Sequence, residues 1–303
     1  ISATDPVTVL SVFQRLGANI DLYSLVFGES VLNDAVAIVL YRTVKAFLDP
    51  DNDSGIGSGI VSFLVIFVGS MLVGTVLGVL SSIMFKTGHF RSDHGMIEPM
   101  VVVLFAFTSY MIAEAFKLSG IVSVLFCGML MAKYTRHNLS SNAESQAKGF
   151  FKILASLSET FVFIYIGTSL FLQEQAWGIG MTWAFLFLSL VALAVSRAVN
   201  VYSLSAAVNF MRPKDVAIPR SHQHMLWFSG LRGAIAFALS LSASNDFGEP
   251  GRVIMTTTFF IVLFTVLFNG GLSAWMLNRL GVKGGPAEGA FACRRYQNLE
   301  EAA

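Results

Sequence analysis

Residues 56–85 read IGSGIVSFLVIFVGSMLVGTVLGVLSSIMF, about 30 residues without a single charge. A helix of about 20 mostly apolar residues is long enough to cross the hydrocarbon core of a bilayer. A strand of a membrane barrel would instead alternate over about ten residues, and this stretch does not alternate. It reads as a spanning helix. Residues 175–196 and 253–278 are uncharged runs of similar kind. Admitting segments with one or two internal charges predicts eight spans, at 22–48, 56–86, 96–116, 118–133, 152–172, 178–211, 221–242 and 253–280. Residues 1–14 read as the tail end of a ninth. The predicted fold class is an all-α polytopic membrane protein with about eight full transmembrane helices and a partial one.

Composition agrees. Of 303 residues, 54% are hydrophobic and only 13% charged, and the mean hydropathy is +0.67. A soluble domain carries about 25% charged residues and has no way to hide so much apolar surface. Twenty Lys and Arg against nineteen Asp and Glu leave a net charge of +1, so nothing here provides the basic excess that a nucleic-acid partner requires. A soluble cytosolic enzyme and a disordered chain are excluded on the same grounds. Cys127 and Cys293 do not make a disulfide framework. The chain begins with Ile1 and shows no signal-peptide pattern, which suggests a piece of a longer protein.

Strict alternation of the spans sorts the loops by charge. One side collects Arg15, Lys86, Arg91, Lys133, Arg136, Lys148, Lys152, Arg212, Lys214, Arg220, Arg279 and the tail. The other has Asp49, Asp51, Asp53, Glu174, Asp246 and Glu249, with Lys117, Arg252, Arg42 and Lys45 as its few bases. Positive loops stay cytoplasmic, so the first side, and with it the C-terminus, is expected to be cytosolic. The stripe Ser70, Gly74, Gly78 and Ser82 lets another helix approach closely, and packing within the chain is its expected use.

Arg197 and Arg232 fall inside predicted spans, as do the acids Asp5, Glu29, Asp34, Glu114 and Glu159. Each costs at least about 2.5–3.5 kcal/mol at the centre of a bilayer on insertion scales, so each calls for a partner or a function. The densest group is Phe27-Gly28-Glu29-Ser30-Val31-Leu32-Asn33-Asp34-Ala35. Glu29 and Asn33 share one face of a helix, and Asp34 is rotated about 100° from Asn33. One carboxylate can therefore pair with a fixed base while the other faces a cavity, where its oxygens suit a hard monovalent cation or a proton.

Two further clusters read as breaks. In Ser2-Ala3-Thr4-Asp5-Pro6-Val7-Thr8 the proline removes a helix donor and pushes the residue before it out of the helical region. In Ser229-Gly230-Leu231-Arg232-Gly233-Ala234 two glycines flank an intramembrane arginine, whose charge is expected to face the dipole ends of broken helices. Unwound backbone at this depth is tolerated where it lines a cavity or is buried in protein. A pair of interrupted helices points to the binding site of a transporter. His222 and His224 read as residues at a helix start, and Trp177, Trp183 and Trp227 as interfacial anchors.

These segments in this order, together with Ser158-Glu159-Thr160-Phe161 and Ser196-Arg197, strongly resemble the sodium/proton exchanger family from Ile1 to about Val282. Phe161–Gly167 and Gln223–Ala238 look most like its intracellular, endosomal and Golgi-type members, plant-type ones included. The resemblance implies an inverted repeat of 13 helices with two broken crossing helices, a homodimer, and an elevator-like movement of the ion site. It implies further helices before the Asp5-Pro6 break. Residues 1–282 would form the membrane transport domain, with core helices in 1–48 and 178–280 and intervening ones in 56–172. Residues 283–303 would be a short cytosolic tail.

By the same resemblance Asp34, with Asn33, is the residue that carries cation and proton, and Thr4 and Asp5 complete that site. Glu29 and Arg197 form a structural ion pair. Gly230, Arg232 and Gly233 belong to the second crossing helix, and Glu159 lines the cavity. No cofactor is implied apart from the transported Na+ or K+ and H+, and the partners are the lipid bilayer, these ions and a second copy. The implied activity is electroneutral one-for-one exchange, not enzymatic, that sets organellar pH and cation content in an endomembrane. An electrogenic antiporter, or a fragment acting as a membrane scaffold, is the alternative.

Overall fold

The structure is a computed structural model and describes residues 3–5, 10, 13, 19–47, 56–87, 96–172, 180–211 and 217–282. Its elements are helical throughout: α1 (Ile20–Phe47), α2 (Ile56–Lys86), α3 (Ile97–Ala115), α4 (Gly120–Leu130), α5 (Ser141–Leu172), α6 (Gly180–Met211), α7 (Arg220–Phe228), α8 (Ala234–Phe247), α9 (Glu249–Phe264) and α10 (Gly271–Leu280). Among the described residues two π-helical turns occur, at Met131–Thr135 after α4 and at Thr265–Gly270 between α9 and α10.

Among the described residues, six helical stretches are long and apolar enough to cross a membrane: Asp21–Ala46, Gly57–Lys86, Ile97–Ala115, Ser141–Ser169, Trp183–Met211 and Glu249–Leu280. Two of the eight predicted spans are absent from this set, each for a local reason. The stretch predicted at 118–133 is an α-helix of 11 residues that runs on through a π turn and the 3-10 turn Arg136–Asn138. The stretch predicted at 221–242 is split into α7 and α8 by non-helical backbone around Gly230–Gly233. The helix predicted from 152 starts at Ser141, with Ser140 at its N-terminus accepting the Ala143 amide (3.3 Å). The tail 283–303, Pro6, Trp177 and Cys293 lie outside the described residues.

The chain divides into two units, Ile1–Asp34 with Phe161–Tyr296, and Ala35–Thr160 with Gln297–Ala303. In the first, Leu10, Phe13, Leu22, Tyr23, Val26, Val201, Met225, Leu226, Leu231 and Leu277 share one buried cluster. α8 and α9 form a tight pair there. Gly248 makes the turn between them in the left-handed region (φ 61°), which suits a residue without Cβ. Gly251 then lies so close to the Ala243 carbonyl that a side chain would collide with it.

In the second unit α2 packs along α4. Lipid offers no hydrophobic drive for helices to associate, so close approach through small residues takes its place. A Cβ on Gly74 would strike the Ser123 carbonyl, and one on Gly78 would crowd Leu130 (2.8 Å). Ser70 accepts the Ser119 amide (2.9 Å), and Ser81 meets Thr135 (3.3 Å). The small-residue stripe is used within the chain, and its last member on this face is the buried Ser81 rather than Ser82. Arg42 settles the account of Glu114: its guanidinium donates to that carboxylate (2.8 Å) and to the Leu118 carbonyl (2.9 Å), tying α1 to the turn between α3 and α4.

Candidate functional site

α1 is a 28-residue helix with Glu29, Ser30, Asn33 and Asp34 near its middle. Ser30 and Asp34 are one turn apart, so they share a face. Against that face runs the non-helical backbone of Ala3, Thr4 and Asp5. The Thr4 amide donates to Asp34 Oδ1 at 3.0 Å. The Thr4 hydroxyl donates to Ser30 Oγ at 3.2 Å and accepts from Asn33 Nδ2 at 3.4 Å. Thr4 and Ser30 are both buried. Asp34, Asn33 and Thr4 are thus brought together. Ser30 joins them unannounced, and its i−4 spacing from Asp34 was the signal in the sequence.

The second break crosses the first. The Asp5 amide donates to the Leu231 carbonyl at 2.9 Å, and Arg232 Nη1 donates to the Ala3 carbonyl at 3.2 Å. Each unwound segment therefore supplies hydrogen-bond partners for the other's backbone, as unwound backbone at membrane depth requires. Gly233 has to be glycine for a steric reason, because a Cβ there would collide with the Asp5 carboxyl group. Gly230 is similar: a Cβ there would run into the Arg197 guanidinium.

Arg197, on α6, does more than pair with Glu29. Its Nη1 and Nη2 grip the two oxygens of Glu29 at 2.9 and 3.1 Å, the forked geometry that suits a carboxylate. Its Nε also donates to the Trp227 carbonyl (3.0 Å), and its Nη2 to the Leu226 carbonyl (2.7 Å). These carbonyls belong to the last turn of α7, where a helix leaves acceptors unpaired and carries partial negative charge. Arg197 thus caps the end of this half-helix, and Arg232 Nη1 reaches the non-helical carbonyl of Ala3.

Glu159 is partly buried on α5, in the part that belongs to the second unit. His224 lies in α7 and shares a 2.6 Å hydrogen bond with the Tyr202 hydroxyl. The Trp227 indole donates to the Ala194 carbonyl (3.1 Å), so it joins α7 to α6.

The cluster offers a carboxylate, two hydroxyls and an amide side chain where one continuous helix meets the non-helical residues 3–5, beside the break between α7 and α8. Such junctions are where transporters hold small ions. Glu29 is neutralised by a guanidinium, whereas Asp34 receives a neutral amide.

The family model described as "Sodium/hydrogen exchanger, transmembrane" matches residues 1–279. The chain is 45% identical over 289 residues to "Sodium/hydrogen exchanger 5" of Arabidopsis thaliana, which covers 94% of this chain and 54% of that protein. It is 39% identical over 292 residues to "Sodium/hydrogen exchanger 9" of Homo sapiens, covering 93% and 44%. An uncharacterised Na(+)/H(+) antiporter of Schizosaccharomyces pombe is 38% identical over 293 residues, covering 95% and 50%. The chain spans about half the length of the curated relatives it matches. Matched by the family model over nearly its whole membrane region, and closely similar to relatives from plant, animal and fungus, this integral membrane chain belongs to the sodium/hydrogen exchanger family.

Proposed function

We propose that this chain carries the ion site of a secondary transporter that exchanges Na+ or K+ for H+, one for one, by alternating access. The observation that carries the reading is the contrast between two carboxylates on α1: Glu29 is gripped by Arg197, and Asp34 meets the Thr4 amide beside Ser30 and Asn33. Asp34 is then the group that takes a proton or a cation in turn, with Thr4 and Asn33 beside it and Asp5 completing the crossing. Only a neutralised carboxylate moves cheaply through a low-dielectric barrier, so the occupied site moves and the empty one does not. Asn33 adds no second charge, which favours electroneutral exchange.

In the same proposal Glu29 and Arg197 are structural, Gly230, Arg232 and Gly233 form the second crossing, and Glu159 lines the route to the site. The segments 1–48 and 178–280 act as the transport core, moving elevator-fashion in a homodimer. The endosomal and Golgi-type wording of 161–167 and 223–238 favours an endomembrane, where exchange would set pH and cation content, with the C-terminus in the cytosol.

The test is cation-driven proton flux by the full-length protein in proteoliposomes under a Na+ or K+ gradient. Asp34→Asn should abolish the flux, and ordinary flux in that variant would overturn the proposal. One observation favours a second reading. Asp5 is another carboxyl group at the crossing, partly buried against Gly233, and if it also changes charge during the cycle the exchange becomes electrogenic. The reversal potential separates the two.

A further inference from the structure

Unwound backbone in a membrane poses a problem of accounting, since every free N–H and C=O needs a partner. In the break between α7 and α8 most of the partners are local or belong to the crossing. The Ser229 amide reaches back to the Met225 carbonyl (2.8 Å), the Leu231 amide to Ser229 (2.8 Å), and the Leu231 carbonyl takes the Asp5 amide (2.9 Å). Two groups are served from a third place. The Arg232 amide donates to Thr265 Oγ1 at 3.1 Å, and the Phe228 carbonyl accepts from Asn269 Nδ2 at 3.5 Å.

Thr265 and Asn269 both lie in the π turn Thr265–Gly270. A π turn is a costly departure from the α-helix and recurs at functional positions. Here the two polar side chains sit four residues apart, about one π turn, so both meet the same break. Thr265 is buried, and its own hydroxyl proton goes to the Val262 carbonyl (3.2 Å). Its oxygen is thereby oriented as an acceptor.

We infer that Thr265, with Asn269 in support, is a positioning residue for the ion site. It acts through a relay of three hydrogen bonds. Thr265 fixes the Arg232 peptide, the adjoining Leu231 carbonyl fixes the Asp5 amide, and the adjoining Thr4 amide meets Asp34. The π turn thus sets the place of the Thr4 donor although it touches neither Thr4 nor the ion. The inference rests on the reading of Asp34 as the exchange site.

The experiment uses the full-length protein in proteoliposomes, with flux measured against cation concentration for the wild type and for Thr265→Val, Thr265→Ser, Asn269→Ala and Asp34→Asn. Thr265→Val keeps shape and removes the acceptor. It should raise the apparent KM for the cation about five- to tenfold, the scale of one lost hydrogen bond in a buried relay. Thr265→Ser restores the hydroxyl and should return KM to within about twofold of wild type, and Asn269→Ala should raise it less than Thr265→Val. A Thr265→Val protein with unchanged KM and only a lower maximal rate has lost carrier rather than site geometry, which overturns the inference. If Thr265→Val does not reach the membrane, Thr265→Ser is compared with Thr265→Ala in its place, and equal KM values for those two overturn it as well. Flux that survives Asp34→Asn removes the underlying reading whatever Thr265 does, so the two failures are told apart.

Discussion

Gly233 leaves open the space that the Asp5 carboxyl group fills. The two residues are far apart in sequence and belong to different interrupted segments, and the contact leaves no room for even one methyl group. Gly233→Ala should therefore displace Asp5 and with it the Thr4 amide, and exchange by the full-length protein should fall at least about tenfold, since a misplacement of about 1 Å can cost a hundredfold. Gly28→Ala serves as the control, because a Cβ there meets nothing within 4 Å. Flux assays at matched protein levels decide the point.

Removal of Arg197 should hurt more than removal of Glu29. Glu29→Gln breaks the partly buried pair at a cost of about 1–3 kcal/mol, but the guanidinium keeps the Leu226 and Trp227 carbonyls. Arg197→Met strips those carbonyls too, at about 1 kcal/mol each. Melting curves of the full-length protein in detergent should rank wild type above Glu29→Gln and Glu29→Gln above Arg197→Met. The reverse order would show that the helix-end contacts contribute nothing.

The spans were read easily where composition alone decides. Residues 56–85 admit one interpretation, and α2 is that helix. The break at Gly230–Gly233 was also visible, because two glycines around an intramembrane arginine are hard to reconcile with an ordinary helix. Other features depend on partners distant in sequence. The early start of α5 was hidden because Ser141, Asn142, Glu144, Gln146 and Lys148 look like a loop, whereas Glu98 is buried and accepts both the amide and the hydroxyl of Ser140 (2.9 and 2.8 Å). Ser30 shares a face with Asp34 by its i−4 spacing, but its use as a partner shows only once Thr4 lies opposite it. The attachment of Arg197 to α7 leaves no trace in spacing, since carbonyls have no sequence signature.

Ser30 gives a sharper test of the ion cluster than its charged neighbours do. Ser30→Ala removes an oxygen next to Thr4 without altering charge. The apparent KM for the cation should rise about fivefold, as expected for one lost contact of about 1 kcal/mol, while the maximal rate stays close to wild type. A KM identical to wild type in the flux assay would remove Ser30 from the site.

Two glycines in the second unit should respond in opposite directions. Gly74→Ala forces α2 away from the Ser123 carbonyl, and overpacking of this kind costs about 1–3 kcal/mol. Gly128→Ala enters open space on α4 and should gain about 0.5–1 kcal/mol from the better helix former. Thermal unfolding of the two variants under one set of detergent conditions gives the comparison.

The bonds from Arg232 to Ala3 and from Asp5 to Leu231 bear on biogenesis. A ribosome delivers Ala3 to the bilayer more than two hundred residues before Arg232 exists. Throughout that interval the non-helical residues Ala3–Asp5 lack the mate they have in the finished protein. Until α7 and α8 are made, the free backbone groups of that stretch depend on partners outside the finished fold.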